Sequence, residues 1–363
     1  MENDQNVINN AFQTKCSQCG GAVTYSPEAE NLKCPYCGAV TEVDKTPVTP
    51  TENDFNQWKD KAREAPEQSS ETAVSTQIKC RGCGANTIFD PNTSGAKCAF
   101  CGTPLVMEEA QVNRFWKPEY LLPFKVGEQQ CTQNFNKWLS GKFFLPNNIK
   151  KAGTNHKKFK GVYLPYWTYD ANTSTVYTGE RGVHRTITEK DQNGKPVTRT
   201  VTDWYPAAGK VDLVFDDVMI PATDTVPGNL LGGLKAWDME NVVPYKKEFL
   251  AGFITELYKE DFVQAYPKAQ DWMEERIMEA VREDIGGSEQ RIISHSSRFD
   301  DLKFKHLLLP IWISAFQYNG KTYQFIVNGR TGAVSGQYPK SALKIALVVL
   351  AVIAVIVALY SLF

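Results

Sequence analysis

Phe159-Lys-Gly-Val-Tyr-Leu-Pro-Tyr-Trp167 occurs twice in this chain in related form. The second copy, Phe304-Lys-His-Leu-Leu-Leu-Pro-Ile-Trp312, shares Phe, Lys, Leu, Pro and Trp at five of nine positions. Consecutive apolar and aromatic residues of this kind make a buried strand. The proline in each removes one ladder donor, which suits an edge or a bulge. The two tryptophans read as core rather than as a ligand site. A helical pattern precedes each copy, and an apolar-Pro-aromatic element precedes that helix: Leu122-Pro-Phe124 and Val243-Pro-Tyr245. The reading is two helix-plus-strand modules packed into one domain; the alternative is chance likeness between two buried strands.

The domain built on these strands, residues 105–339, reads as α+β. A helix is expected over 128–139, with Cys131, Phe135, Trp138 and Leu139 on its apolar face. A second is expected over 266–285, with Trp272, Ile277, Ala280 and Val281 inward and Gly286-Gly287 as its stop. Segments 162–177 and 183–204 are rich in Thr, Val, Tyr and Trp, with a turn at Asp191-Gln-Asn-Gly194. Further strands are expected at 211–215, 291–295, 304–318 and 322–327, with turns at Asn319-Gly320 and Asn328-Gly329 and a loop over 220–234.

Eight of the nine cysteines fall in four Cys-x-x-Cys pairs upstream of this domain. Cys16 and Cys19 are followed after 14 residues by Cys34 and Cys37; Cys80 and Cys83 are followed after 14 by Cys98 and Cys101. The two units are offset by 64, and Lys15, Pro27 and Lys33 match Lys79, Pro91 and Lys97. Two residues between cysteines aim both sulfurs at one ion, and a glycine after the second lets the backbone turn with positive φ. Four thiolates without histidine make a closed tetrahedral site, structural rather than catalytic, so residues 11–40 and 78–104 are expected to be two zinc ribbons holding two Zn2+. Iron–sulfur ligation or redox Cys-x-x-Cys chemistry is the alternative. The first ribbon has no net charge and the second is +2, with few aromatic residues, a poor footprint for phosphates. Protein binding is therefore expected over nucleic acid.

Residues 41–77 carry eight acids and four bases and read as a flexible acidic linker. Its centre, with Phe55 and Trp58 three apart, is either a transient helix or a docking peptide. The chain closes on Ser341-Ala-Leu-Lys-Ile-Ala-Leu-Val-Val-Leu-Ala-Val-Ile-Ala-Val-Ile-Val-Ala-Leu-Tyr-Ser-Leu-Phe363. Nineteen residues, 345–363, carry no charge and span about 28 Å as a helix. A single transmembrane helix over 343–363 is expected; the bland reading is a buried core helix. Residues 302–363 are +6 and the first 301 are −7. A basic juxtamembrane segment, reduced cysteines and no signal-peptide pattern at the start place the bulk in the cytoplasm of a single-pass inner-membrane protein.

No catalytic constellation and no cofactor-binding motif emerges. Gly228-Asn-Leu-Leu-Gly-Gly-Leu-Lys235 lacks the Gly-Lys junction and hydroxyl of a phosphate loop. His156, His184, His295 and His306 form no motif with acids, Cys131 reads as a buried structural thiol, and Asp216-Asp217 and Glu274-Glu275 as surface charge. An enzyme is not expected.

Taken with the Leu164-Pro-Tyr-Trp167 and Leu309-Pro-Ile-Trp312 strands and the segment Phe325-Ile-Val-Asn-Gly-Arg-Thr-Gly-Ala-Val-Ser-Gly336, the eight ribbon cysteines make the chain resemble the bacterial YdjG-like membrane-anchored zinc-ribbon proteins. Those proteins are often labelled after transcription-factor zinc ribbons or a primosomal helicase. The resemblance implies a membrane-bound adaptor in phage-shock or envelope maintenance, with cytosolic or membrane proteins as partners and the lipid bilayer held by the last helix. The competing expectation is a zinc ribbon that binds nucleic acid in replication or transcription.

Overall fold

A computed structural model describes residues 15–64, 72–88, 97–105, 111–147, 149, 159–190, 192, 194–234, 237–319 and 321–362. The N-terminal segment read for a signal sequence, and His156, lie outside the described residues. The first ribbon contains β1 (Thr24–Ser26), β2 (Asn31–Lys33) and β3 (Val40–Thr41), antiparallel in that order. Next come β4 (Asn53–Asp54) and α1 (Phe55–Glu64). The second ribbon belongs to a three-stranded sheet of β5 (Thr72–Lys79), β6 (Asn86–Ile88) and β7 (Gln111–Trp116), with β5 central. After β8 (Tyr120–Leu121) and α2 (Glu128–Ser140), two long strands follow, β9 (Lys160–Lys190) and β10 (Pro196–Pro221). The short α3 (Gly228–Gly232), β11 (Val243–Pro244) and β12 (Ile254–Thr255) lead to α4 (Phe262–Ile285). The chain then forms β13 (Glu289–Tyr318), β14 (Lys321–Asn328), β15 (Val334–Gly336) and α5 (Ala342–Leu362). The architecture is α+β, as expected.

Nine of these strands form one sheet with the path β10-β9-β13-β14-β15; β4, β8, β11 and β12 pair at its flanks. Strands expected as several short pieces are continuous: β9, β10 and β13 run for 31, 26 and 30 residues. Three irregularities, one of them between Ile292 and Ser294 of β13, let them stay in register. β10 slips between Phe215 and Val218, and β13 between Asp300 and Lys303. Asp217 and Asp301 absorb the extra residues at φ of 54° and 51°, a region aspartate tolerates better than most residues.

The repeated nonapeptides meet at the centre. Leu164 pairs with its own counterpart Leu309, and the antiparallel register runs outward from there. Around that point the contacts recur in matched sets. Trp167 Nε1 donates to the carbonyl of Glu260 at 2.9 Å, and Trp312 Nε1 to that of Val126 at 2.7 Å. Ala222 N–H donates to Pro165 O, and Gly329 N–H to Pro310 O. Lys259 N–H reaches Ala222 O as Lys125 N–H reaches Gly329 O. β8 runs parallel to β13 as β12 runs parallel to β9. In position, 254–258 matches the element before α2, whereas Val243-Pro-Tyr245 lies in β11 and its exit and pairs back on β8.

The matched geometry also corrects the place of the prolines. Pro165 and Pro310 sit in the two central strands rather than at an edge. On the outer side of β9, Tyr166 is the last residue paired with β10 and Tyr163 the last paired with β12. Pro165 stands in that changeover, where no neighbouring carbonyl needs its missing donor. Pro310 stands in the same gap, between Asn328 opposite Ile311 and Leu121 opposite Leu308.

α4 starts four residues earlier than its periodicity predicts, because Asp261 caps it: its carboxylate accepts from Val263 N and Gln264 N, and Gln264 returns a bond to the Asp261 amide. Its buried stripe is Ala265, Ala269, Met273, Ile277, Val281 and Ile285. Trp272, expected inward, is exposed with Arg276 over its ring. α1, expected within a solvated linker, is docked instead on the chain's own sheet. Phe55 is buried against Tyr169, Phe262, Tyr266 and Phe304, and Trp58 lies against Trp116.

Candidate metal centres

Each Cys-x-x-Cys-Gly knuckle folds the same way. The amides of Cys16, Cys34, Cys80 and Cys98 donate to the carbonyl five residues on, at 2.7–2.8 Å. Gly20, Gly38, Gly84 and Gly102 donate back to the first cysteine's carbonyl and take φ of 72° to 79°, as the glycine expectation requires. The pairing of Lys15 with Ala22 recurs as Lys79 with Asn86, and that of Lys33 with Val40 as Lys97 with Pro104, each 64 residues on.

The turns converge the sulfurs. Cys16, Cys19, Cys34 and Cys37 place their Sγ atoms within 4.8 Å of one another, and so do Cys80, Cys83, Cys98 and Cys101. The closest pairs lie at 3.5–3.7 Å, Cys16 to Cys37, Cys19 to Cys34, Cys80 to Cys101 and Cys83 to Cys98. Disulfides are excluded, since that bond is about 2.0 Å long. A tetrahedral ion at about 2.3 Å from each sulfur needs sulfur–sulfur edges near 3.8 Å, so the spacing fits. Each group can hold one metal ion. Within the first group the Cys37 amide, foremost, draws the Cys34 thiol down to about 6 and the Cys19 amide lowers Cys16, while Cys19 and Cys37, although they too receive amide bonds, from Gly21 and Ala39, are raised by their neighbouring thiols. In the second group burial pushes Cys83 up, while Thr103 holds Cys101 to about 7 against the same burial.

The two sites differ in setting. Cys19 and Cys37 are exposed, beside a Tyr36 that is 77% exposed; Cys83 and Cys101 are half-buried. Neither ribbon hangs free. Tyr25 is buried against Phe249 and Phe253 and donates its amide to Ala251 O. In the second ribbon Cys80, Ala85, Cys98 and Phe100 share a core with Leu122 and Leu164, and Leu257 N–H reaches Asn86 O.

A third cluster, acidic rather than thiol, escaped the reading of Asp216-Asp217 as surface charge. Lys305 is 2% exposed, and its Nζ lies 2.8 Å from Glu52, 2.6 Å from Asp217 and 3.9 Å from Asp170. The lysine ammonium is the cation of this cluster. Burial alone would lower it; Asp217 and Glu52 instead hold it up to about 12. Burial, then its contact with Glu52, pushes Asp170 up to about 7. The signal was Asp217 in a bulge, which only register reveals. Cys131 is fully buried, and burial pushes its thiol up, as befits a structural residue. His184 faces Glu289 across two strands at 2.7 Å, exposed, and His295 faces Glu274 at 3.9 Å.

α5 is apolar over 19 residues, Ala342–Tyr360, and none of that span is buried, so it is no core helix; it is long and apolar enough to cross a membrane. Its foot is fastened. Ser341 N–H donates to Phe144 O, and Lys344 Nζ to the carbonyls of Phe143 and Leu145. The basic segment ahead of it is partly spent inside the fold: Lys303 pairs with Asp301, Lys305 with its cluster, and Arg330 with Asp238.

The chain is similar to YdjG. That Bacillus subtilis (strain 168) protein, "Uncharacterized protein YdjG", is 23% identical over 333 residues, covering 92% of this chain and 91% of the relative. A likeness over nearly the whole of both chains supports a YdjG-like family. No family model matches, and no solved structure matches.

Proposed function

We propose that this protein is a membrane-anchored zinc-ribbon adaptor, without enzymatic activity, whose folded part lies on the cytoplasmic face of the inner membrane and recruits other proteins there. The observation that carries the reading is the fastened foot of α5. Bonds from Ser341 and Lys344 to residues 143–145 hold the turn after α2, and the core that Leu145 joins, close to the start of an exposed apolar helix. A domain so mounted would meet its partners at the bilayer surface rather than on a long tether. Lys340 and Phe143, both exposed beside that foot, suit an anionic interface. Four thiolates in a closed set favour zinc over harder ions, and the metal's work there is to hold the knuckle shape. The exposed Tyr36 and Val40 make the first ribbon the recruiting surface we favour. The matched contacts about Leu164 and Leu309 support an internal duplication of the domain, and the 64-residue offset one of the ribbons.

The test is affinity purification of the full chain from detergent-solubilised membranes, with Tyr36→Ala beside the native protein. The expected result is a set of co-purifying proteins that Tyr36→Ala loses while keeping two zinc ions per chain. Partners retained in full would move the surface elsewhere. Sub-micromolar, salt-dependent binding of DNA or RNA by the same preparation would favour the nucleic-acid reading instead.

A further inference from the structure

The two halves around the central strands agree in backbone and differ at one place. Trp312 pairs across the sheet with Gly161, and Trp167 pairs with His306. On the Gly161 side the space is full: Phe124 and Phe253 stack at 4.0 Å, and a Cβ on Gly161 would meet Phe253 at 2.3 Å. On the other side the matching positions are Tyr258 for Phe124, Glu119 for Phe253 and His306 for Gly161. The apolar pair is replaced by a tyrosine and a carboxylate, and the glycine by a histidine. There the packing does not close. A cavity of about 150 Å³ remains, walled by Trp58, Trp116, Trp167, Phe304, Glu119 and His306.

His306 is the unexplained group. It is 3% exposed and stacked on Trp167 at 4.2 Å; neither ring nitrogen makes a well-formed hydrogen bond, and the backbone of Lys117 and Trp116 lies near enough only for weak contacts with the ring. A buried imidazole whose nitrogens are satisfied only by weak backbone contacts is costly, and a glycine occupies the matching place in the other half. Glu119 does not satisfy the ring. Its carboxylate accepts from Asn53 Nδ2 and from the His306 backbone amide, so its oxygens already have donors.

We propose that this cavity binds a small uncharged ligand built on a single aromatic ring and carrying one hydroxyl or ring N–H. The volume matches that of core cavities that admit a benzene-sized molecule. The indole and phenyl walls favour a flat apolar body. The neutral imidazole supplies one donor and one acceptor, which sets the polar group. Lys117 lines the same cavity and offsets the charge of Glu119, which separates this site from an aromatic ammonium cage. Trp58 comes from α1, so the segment between the ribbons supplies one wall of the site.

The test is binding of phenol, toluene and tetramethylammonium to the full-length protein in detergent, read by tryptophan fluorescence and calorimetry. Phenol is expected to bind with roughly tenfold higher affinity than toluene, and tetramethylammonium not at all. His306→Phe should abolish the preference for phenol, and Trp58→Ala should weaken both rings, with melting temperature and metal content verifying that each variant is folded. Saturation by tetramethylammonium, no binding of phenol at millimolar concentration, or a preference for phenol that survives both His306→Phe and His306→Gln would overturn the proposal.

Discussion

A buried lysine among three carboxylates is stable only as a set. Removing the ammonium leaves Glu52, Asp170 and Asp217 facing one another with little water, and breaking such a pair costs about 3–5 kcal/mol. Lys305→Met is expected to lower the denaturation free energy by that order, measured by urea unfolding of the folded region; a loss under about 1 kcal/mol would mean that the carboxylates simply protonate. His306 makes a pH prediction. Burial pulls its folded value from 6.5 down to about 4. The neutral ring's contribution is therefore complete above the unfolded value and is lost as pH falls from 6.5 toward 4. The full loss is on the order of 3 kcal/mol. Native protein should weaken over that window relative to His306→Gln; parallel pH profiles for the two would contradict the assignment. Neither residue announces itself in the sequence. Lys305 is one lysine among many, and His306 is one position in a repeat whose other copy has glycine.

At the scale of elements, α4 and α1 test local against tertiary control. The Asp261 cap and its partner Gln264 are a local device, readable once the helix is moved back to Phe262. Asp261→Ala should cost about 1 kcal/mol. α1 is held by packing: Phe55→Ala should cost about 3–5 kcal/mol and open its segment to limited proteolysis, while an exposed change such as Asn56→Ala should do neither. A composition of eight acids and many hydroxyls pointed to a flexible linker, whereas Phe55 and Trp58, the pair that also suggested a docking peptide, pack α1 onto the chain's own sheet. Strand length was hidden for a related reason. Turn-like residues such as Asp216-Asp217 and Asp300-Asp301 break the alternation, yet each sits in a bulge that β9 tolerates, so the strand continues.

For the whole molecule, the ribbons are buttresses of one body rather than beads on a thread. Chelating the metals should therefore do more than unfold two small loops. It should remove the walls that cover Phe249, Phe253 and Leu122, and lower the melting temperature of the entire folded region. Calorimetry with and without chelator would check this; an unchanged main transition would show the ribbons to be independent. The cysteine spacing, the glycines behind it and the uncharged run at residues 345–363 were sufficient alone to specify two metal-capable knuckle pairs and a helix fit for a bilayer. Those features depend on distances of a few residues, over which chain geometry leaves little choice. The repeated nonapeptide indicated a paired core in the same way. Which strands meet, why Pro165 and Pro310 are tolerated at the centre, and why one half closes on phenylalanines while the other keeps a hollow beside His306 are set by contacts between residues more than a hundred apart. Those pairings follow from which side chains can share a core, and that is settled only when all the elements are packed at once.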